Sequence, residues 1–291
     1  MADDTQDPKD NQGELPRRNF VVSVAAGLAA AGAATAKEVE VVETDVEIKM
    51  PDGTCDAAFI HPKNGSHPGV LIWTDAFGLR PSFREIGKRI AAQGYSVLVP
   101  NPFYRRAKAP VIDNIASFSF ANKDDMAKLG PLMASINAPG NAEKDAVVYI
   151  AWLDAQKQVN KGKKIGTQGY CMGGPLVLKT AASVPDRVGA GASFHGCGLV
   201  TDKPDSPHLL APKIKAKMYF GIASNDDMRQ PDAKDKLKAA FPTAEIEVYS
   251  NSLHGWCVPD MPLQNGQPIY NKPDAERAWG KLEGLYKTAL A

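Results

Sequence analysis

The segment Gly169-Tyr170-Cys171-Met172-Gly173-Gly174 constrains this chain more than any other. It follows Lys164 to Gln168, which reads as a strand, and precedes Pro175, which suits the first turn of a helix. A strand that turns at once into a helix leaves little room for side chains beside the corner, and glycine is the residue that fits. The corner residue itself is thrust clear of both elements. Here it is Cys171, at a helix N-terminus whose dipole and unpaired N–H groups favour a thiolate. A free thiol with a pKa of about 8.5 is only slightly ionised at neutral pH, so this help matters. On this reading Cys171 is a nucleophile and the N–H of Met172 forms half of an oxyanion hole. Without its context the same cysteine is a small apolar residue beside a glycine-rich turn. The strand before it and the helix after it are what favour chemistry.

The rest of the chain supplies a frame for that corner. Val39 to Met50 and Thr54 to Ile60 alternate in part around Pro51-Asp52-Gly53, which is a hairpin signal. Gly69 to Trp73 is a short continuous apolar strand, and Ser96 to Val99, Val188 to Phe194, Lys217 to Ile222 and Glu245 to Tyr249 read as further strands. Ser82 and Glu85 form a capping box that opens a helix ending near Gln93, with Gly94 as its stop. A second helix runs from Glu143 to Asp154 with Val147, Ile150 and Ala151 on its apolar stripe, and another from Asp274 to Leu290. Asn101 to Gly140 reads as loops with short helices. Strands alternating with helices imply an α/β fold: a mostly parallel sheet, helices on both faces and an antiparallel edge.

The N-terminus reads differently. Residues 1–16 are polar, Arg17-Arg18 follow, and an uncharged Ala- and Gly-rich run from Val21 ends in Ala34-Thr35-Ala36. That order resembles a twin-arginine export signal, placing residues 1–36 in the signal and 37–291 in the folded domain. A periplasmic or secreted protein is expected, with the export machinery as a transient partner. Net charge is +1, from 34 basic and 33 acidic side chains, so nothing electrostatic recommends nucleic acid as a partner. A small molecule is the expected ligand, and a monomer the favoured state. The 4 cysteines contain no C-x-x-C pair, which argues against a zinc ribbon or a thioredoxin-like site, and no metal is assigned.

In hydrolases with this corner the chain order is nucleophile, acid, histidine. After Cys171 the histidines are His195, His208 and His254. His254 follows the last strand and suits the general base. His195 comes too early for that, and lines the pocket or is hydrogen-bonded there. His208 is a surface residue. The acid should follow Lys217–Ile222, where Asn225-Asp226-Asp227 stands; Asp226 is the choice and Asp227 the alternative.

These segments, with Thr74-Asp75-Ala76-Phe77-Gly78, Val99-Pro100-Asn101-Pro102-Phe103-Tyr104-Arg105 and Ala275-Glu276-Arg277-Ala278-Trp279, resemble the dienelactone hydrolases (carboxymethylenebutenolidases) over residues 50–290. The resemblance implies the α/β-hydrolase fold and a Cys171-His254-Asp226 triad. It implies hydrolysis of an enol-lactone from catechol breakdown with no cofactor. The Ala76 N–H becomes the second oxyanion donor. Asp75 stands where the family usually has a glutamate that helps ionise the thiol, or else it caps the following turn. Arg105 matches an arginine that pairs with the substrate carboxylate. A second such arginine is missing after His254, where Gly255, Trp256, Cys257 and Val258 follow, so Arg80, Arg106 or Arg229 would have to replace it. Arg105, His195 and Trp256 are the candidate substrate-binding residues. A general carboxylesterase or thioesterase on the same scaffold is the alternative activity, and a non-catalytic binding protein the alternative class.

Overall fold

Continuous apolar runs decide the centre of the molecule. The computed structural model describes residues 39–264 and 266–291; the expected export signal lies outside them. β1 (Val41–Met50) and β2 (Gly53–Pro62) form the expected hairpin, in register from Met50 opposite Gly53 to Val41 opposite Pro62. β3 (Gly69–Trp73) leads into α1 (Pro81–Ala91), and β4 (Ser96–Pro100) follows. Every residue of β3 and β4 is buried, as strands covered on both faces require.

α2 (Lys123–Asn137) and α3 (Asn141–Ala155) come next, then β5 (Ile165–Tyr170), α4 (Gly173–Ser183) and β6 (Val188–Phe194). β7 (Lys217–Ala223), α5 (Ser224–Arg229), α6 (Ala233–Ala240), β8 (Glu245–Tyr249) and α7 (Lys272–Ala289) complete the chain. The sheet order is β1-β2-β4-β3-β5-β6-β7-β8, antiparallel from β1 to β4 and parallel from β4 to β8. One core packs Ile90, Ala278 and Leu282 of α1 and α7 against one face of the sheet. The other packs Leu132, Ile150, Leu178 and Leu237 of α2, α3, α4 and α6 against the opposite face. This is the α/β-hydrolase fold.

Three local expectations are corrected. Ser82 does not cap α1: Arg80 is the N-cap, makes no side-chain cap bond, and Pro81 opens the helix. The loop expected before Gly140 contains the 15-residue α2, capped by Asn122 Oδ1, which accepts from the Asp124 and Asp125 N–H groups. Gly130 and Pro131 inside it conceal it from propensity, since Pro removes a helix donor. On α3 the buried face is Ala142, Ala146, Tyr149, Ile150 and Leu153, while Val147 and Ala151 are exposed. Among the described residues no helix is long and apolar enough to cross a membrane.

Candidate active site

The corner after β5 is as sharp as its glycines require. Cys171 has φ +53°, in the left-handed region that non-glycine residues rarely adopt. A Cβ on Gly169 would lie 2.1 Å from the Gly173 carbonyl oxygen, and one on Gly173 would lie 2.6 Å from that of Trp73. Both positions therefore exclude any side chain. The Cys171 N–H is shared between the Phe194 carbonyl and Nδ1 of His195, each at 3.1 Å. Accepting at Nδ1 puts the proton of neutral His195 on Nε2, which has no partner among the described residues. Burial, then the neighbouring His254, hold the His195 pKa well below its usual value.

Four parallel strands deliver the remaining groups to one edge of the sheet. Cys171 follows β5, His195 and Cys197 follow β6, Asp226 follows β7 and His254 follows β8. All lie beyond the C-terminal ends of their strands, where open α/β sheets hold ligands. Asp226 Oδ2 is 2.7 Å from His254 Nδ1, and Asn225 Oδ1 accepts the His254 N–H at 2.8 Å. Asp227 instead takes the Lys234 ammonium, at 2.8 and 2.9 Å. The structure thus joins His254 to Asp226 and not to Asp227.

Cys197 stands between the thiol and the imidazole. Its Sγ is 3.9 Å from Cys171 Sγ and 3.7 Å from His254 Nε2, and the three atoms lie within 4.8 Å of one another. Its N–H donates to the Cys171 carbonyl at 3.1 Å, which ties the two cysteines together through backbone. The cluster shares its protons unevenly. The hydrogen bond with Cys171, opposed by burial and aided by His254, brings the Cys197 thiol down to about 5. That same bond, then burial, hold Cys171 well above the usual thiol range, against the Met172 N–H that faces it. Burial pulls His254 down, but Asp226 and Cys197 outweigh it and raise its pKa to about 10.

Asp75 is buried, and Arg80 grips it with two bonds of 2.6 and 2.8 Å while also holding Asp260 at 2.8 and 2.9 Å. Asp75 Oδ1 also accepts the Phe77 N–H at 2.9 Å, and its carbonyl accepts the Gly78 N–H at 3.0 Å. These are the contacts of a turn cap. The negative charge of Asp75 raises the Cys171 pKa, the opposite of activation. The turn leaves the Ala76 N–H without a partner among the described residues.

Other expected residues are placed elsewhere. Arg105 is not in the site: it binds buried Asp145 at 2.6 and 2.7 Å and Asp52 at 2.9 Å. Arg80 is engaged by its two aspartates, and Arg106 is an exposed residue beside Arg105. Trp256 is fully buried, stacked on Tyr249 with centroids 4.7 Å apart and set edge-on to His195 at 5.2 Å, so it backs the His195 ring. His208 is half-buried, with Nδ1 2.8 Å from Ser206 Oγ. All four cysteines are unpaired, so Cys197 and Cys257 do not form a disulfide.

A cavity of about 450 Å³ opens over this edge, lined by Cys197, His254, Asn225, Arg229, Phe118 and Leu263 among others. Arg229, largely exposed on α5, is the one guanidinium that reaches it among the described residues. A second cavity of about 310 Å³ lies between α1 and α7, beside Cys257 and Tyr170. It touches neither Cys171 nor His254. Sequence reasoning assigned no role to Cys197 or Asn225, both of which line the cavity. The one signal for Cys197 was its setting, between two glycines just past the end of a buried parallel strand.

A cysteine corner, a carboxylate-held histidine and this sheet order define a protein of the α/β-hydrolase class. Comparison with known proteins narrows it: the dienelactone hydrolase family matches residues 55–290, and the chain belongs to that family. A carboxymethylenebutenolidase of Rhodococcus opacus is 25% identical over 211 residues, covering 70% of this chain and 77% of its own. A protein of Aquifex pyrophilus named Protein usf is 26% identical over 238 residues, covering 79% and 91%. Among solved structures, a dienelactone hydrolase-like promiscuous phosphotriesterase, P91, from metagenomic libraries superposes with a TM-score of 0.67. It shares 20% identity and covers 86% of this chain and 99% of its own, a likeness of fold.

Proposed function

We propose that this protein hydrolyses a lactone or carboxylic ester, with a dienelactone of catechol breakdown as the leading substrate, through Cys171, His254 and Asp226. The observation that carries the reading is the 2.7 Å bond from Asp226 to His254 at the edge of the sheet where Cys171 is held at φ +53°. No other described histidine after the corner has a carboxylate partner.

The steps follow from what these groups can exchange. The Cys171 proton passes to the Cys197 thiolate, 3.9 Å away, which the protonated His254 Nε2 holds at 3.7 Å. Once Cys171 is ionised, its sulfur adds to the substrate carbonyl carbon. The C–S bond forms as the carbonyl oxygen becomes an oxyanion, received by the N–H groups of Met172 and Ala76. Asp75 serves this step by capping the turn that leaves the Ala76 N–H unpaired. Collapse breaks the ring C–O bond, and the imidazolium of His254 protonates the departing oxygen. His254 then takes a proton from water, the hydroxyl attacks the thioester, and the C–S bond breaks to release the acid and restore Cys171.

A carboxylesterase acting on less acidic substrates is favoured by one specific observation. Arg105 is engaged by Asp145, which leaves Arg229, loosely paired with Asp226 Oδ1 at 3.4 Å, as the cation facing an otherwise largely apolar cavity. Only one carboxylate contact is then on offer. A panel of carboxylated lactones, neutral lactones and p-nitrophenyl esters, assayed with the parent protein and Cys171→Ala, tests the proposal. Turnover that depends on Cys171 supports it. Undiminished turnover in Cys171→Ala on every substrate overturns it.

A further inference from the structure

We propose that Cys171, Cys197 and His254 form a binding site for a soft divalent cation, Zn²⁺ in the first instance, that silences the thiol when occupied. Zinc prefers a tetrahedron of thiolate and imidazole donors, with Zn–S about 2.3 Å and Zn–N about 2.0–2.1 Å. Those lengths separate two sulfurs by about 3.8 Å and a sulfur from a nitrogen by about 3.5 Å. Here the sulfurs are 3.9 Å apart, Cys197 Sγ and His254 Nε2 are 3.7 Å apart, and the third separation is within 4.8 Å. A shift of a few tenths of an ångström in two pairs, and a turn of one side chain in the third, completes three corners of the tetrahedron.

The surroundings are those of a built site. His254 presents Nε2 to the sulfurs because Asp226 holds Nδ1 at 2.7 Å, the carboxylate–histidine arrangement that orients and strengthens an imidazole ligand. The Cys197 N–H is bound to the Cys171 carbonyl, so both sulfurs ride on connected backbone. Cys197 and His254 line the cavity, which leaves a fourth position open to water. Two thiolates, one imidazole and a water suit zinc better than magnesium or calcium, which take oxygen ligands.

Binding involves no redox change. The Cys171 S–H and His254 Nε2–H bonds break and their protons go to solvent, Cys197 being already a thiolate, and two S–Zn bonds form with the imidazole nitrogen as the third ligand. Occupancy removes the nucleophile and the base together. Binding stands apart from the hydrolytic reading; only its inhibitory consequence rests on that reading.

The test uses the full chain, reduced and freed of metal. Titration with Zn²⁺ should show one ion per chain with proton release. Co²⁺ should give the intense visible bands of a tetrahedral ion and sulfur-to-metal charge transfer in the near ultraviolet. Cys197→Ser should weaken Zn²⁺ at least about a hundredfold and abolish most of the charge transfer, and Asp226→Asn should weaken it roughly 10–100-fold. A weak octahedral Co²⁺ spectrum in the parent protein overturns the site without needing any variant. Unchanged affinity in Cys197→Ser, folded by circular dichroism, also overturns it. Ester hydrolysis by the metal-free protein separates the two readings. An inactive protein that still gives the tetrahedral spectrum sinks the hydrolase proposal and keeps the cation site. An active one that Zn²⁺ neither binds nor slows does the reverse.

Discussion

Cys171 and His195 are the two non-glycine residues with left-handed backbone among the described residues, at φ +53° and +39°, and they are hydrogen-bonded to each other at 3.1 Å. Such conformations cost of order 1–3 kcal/mol each and persist where the surroundings over-determine them. The His195 ring supplies one restraint by accepting the Cys171 N–H. His195→Leu keeps the strain and removes that acceptor. It should lower kcat about tenfold or more, with KM for an ester little changed. His195→Asn tolerates the left-handed region and offers Oδ1 in place of Nδ1, so it should recover most of the loss. Steady-state kinetics on both variants checks the pair.

The two adjacent aspartates should separate cleanly. Asp226→Asn removes the acceptor that orients His254 and stabilises its imidazolium, and kcat should fall by at least about a hundredfold. It should also lower the His254 pKa from its raised value near 10, because the Asp226 hydrogen bond is the larger of the two that raise it. Asp227→Asn loses only the partly exposed pair with Lys234, worth about 1 kcal/mol or less, and should leave the kinetics intact.

The centre of the sheet was legible because buried parallel strands are largely apolar runs, and β3 and β6 fall on the stretches read from the sequence; β8, a partly exposed edge strand, was legible from its alternation. The corner was legible for the same kind of reason, since its glycines are dictated by contacts within a few residues. What stayed hidden depends on partners far along the chain. Arg105 matches a substrate-binding position, but Asp145, 40 residues on, takes its guanidinium. Asp75 sits at the edge of the site, yet Arg80 and Asp260 fix it there. Cys197 comes within reach of His254 only because β6, β7 and β8 end at the same sheet edge.

The two arginines predict opposite phenotypes. Arg229→Ala should raise KM for a carboxylated lactone far more than for a neutral ester. Arg105→Ala should leave that ratio unchanged and cost about 3–5 kcal/mol of stability, because fully buried Asp145 loses its cation. Urea unfolding beside substrate kinetics distinguishes them.

Thiol reactivity should follow the cluster rather than a lone cysteine. Cys197 faces the cavity and its pKa is lowered, so its thiolate is present above about 5 and lost as pH falls through that value. Alkylation by iodoacetamide should therefore be nearly flat across neutral pH, decline below about 5, and reach Cys197 before Cys171. Peptide mapping of a pH series reads both the rate and the order.

A twin-arginine signal over residues 1–36 would act through its paired arginines. Replacing Arg17 and Arg18 together by lysine should retain the protein in the cytoplasm, as followed by cell fractionation of the tagged full chain.

In the proposed mechanism Cys171, and not the neighbouring thiol, carries the acyl group. Quenching p-nitrophenyl acetate turnover in acid within the first turnovers, then mapping peptides by mass spectrometry, shows which sulfur is acylated. A transient acetyl thioester is expected on Cys171, absent in Cys171→Ala and accumulating in His254→Ala. An acetyl group found on Cys197 alone, turning over at the rate of catalysis, would make Cys197 the nucleophile instead.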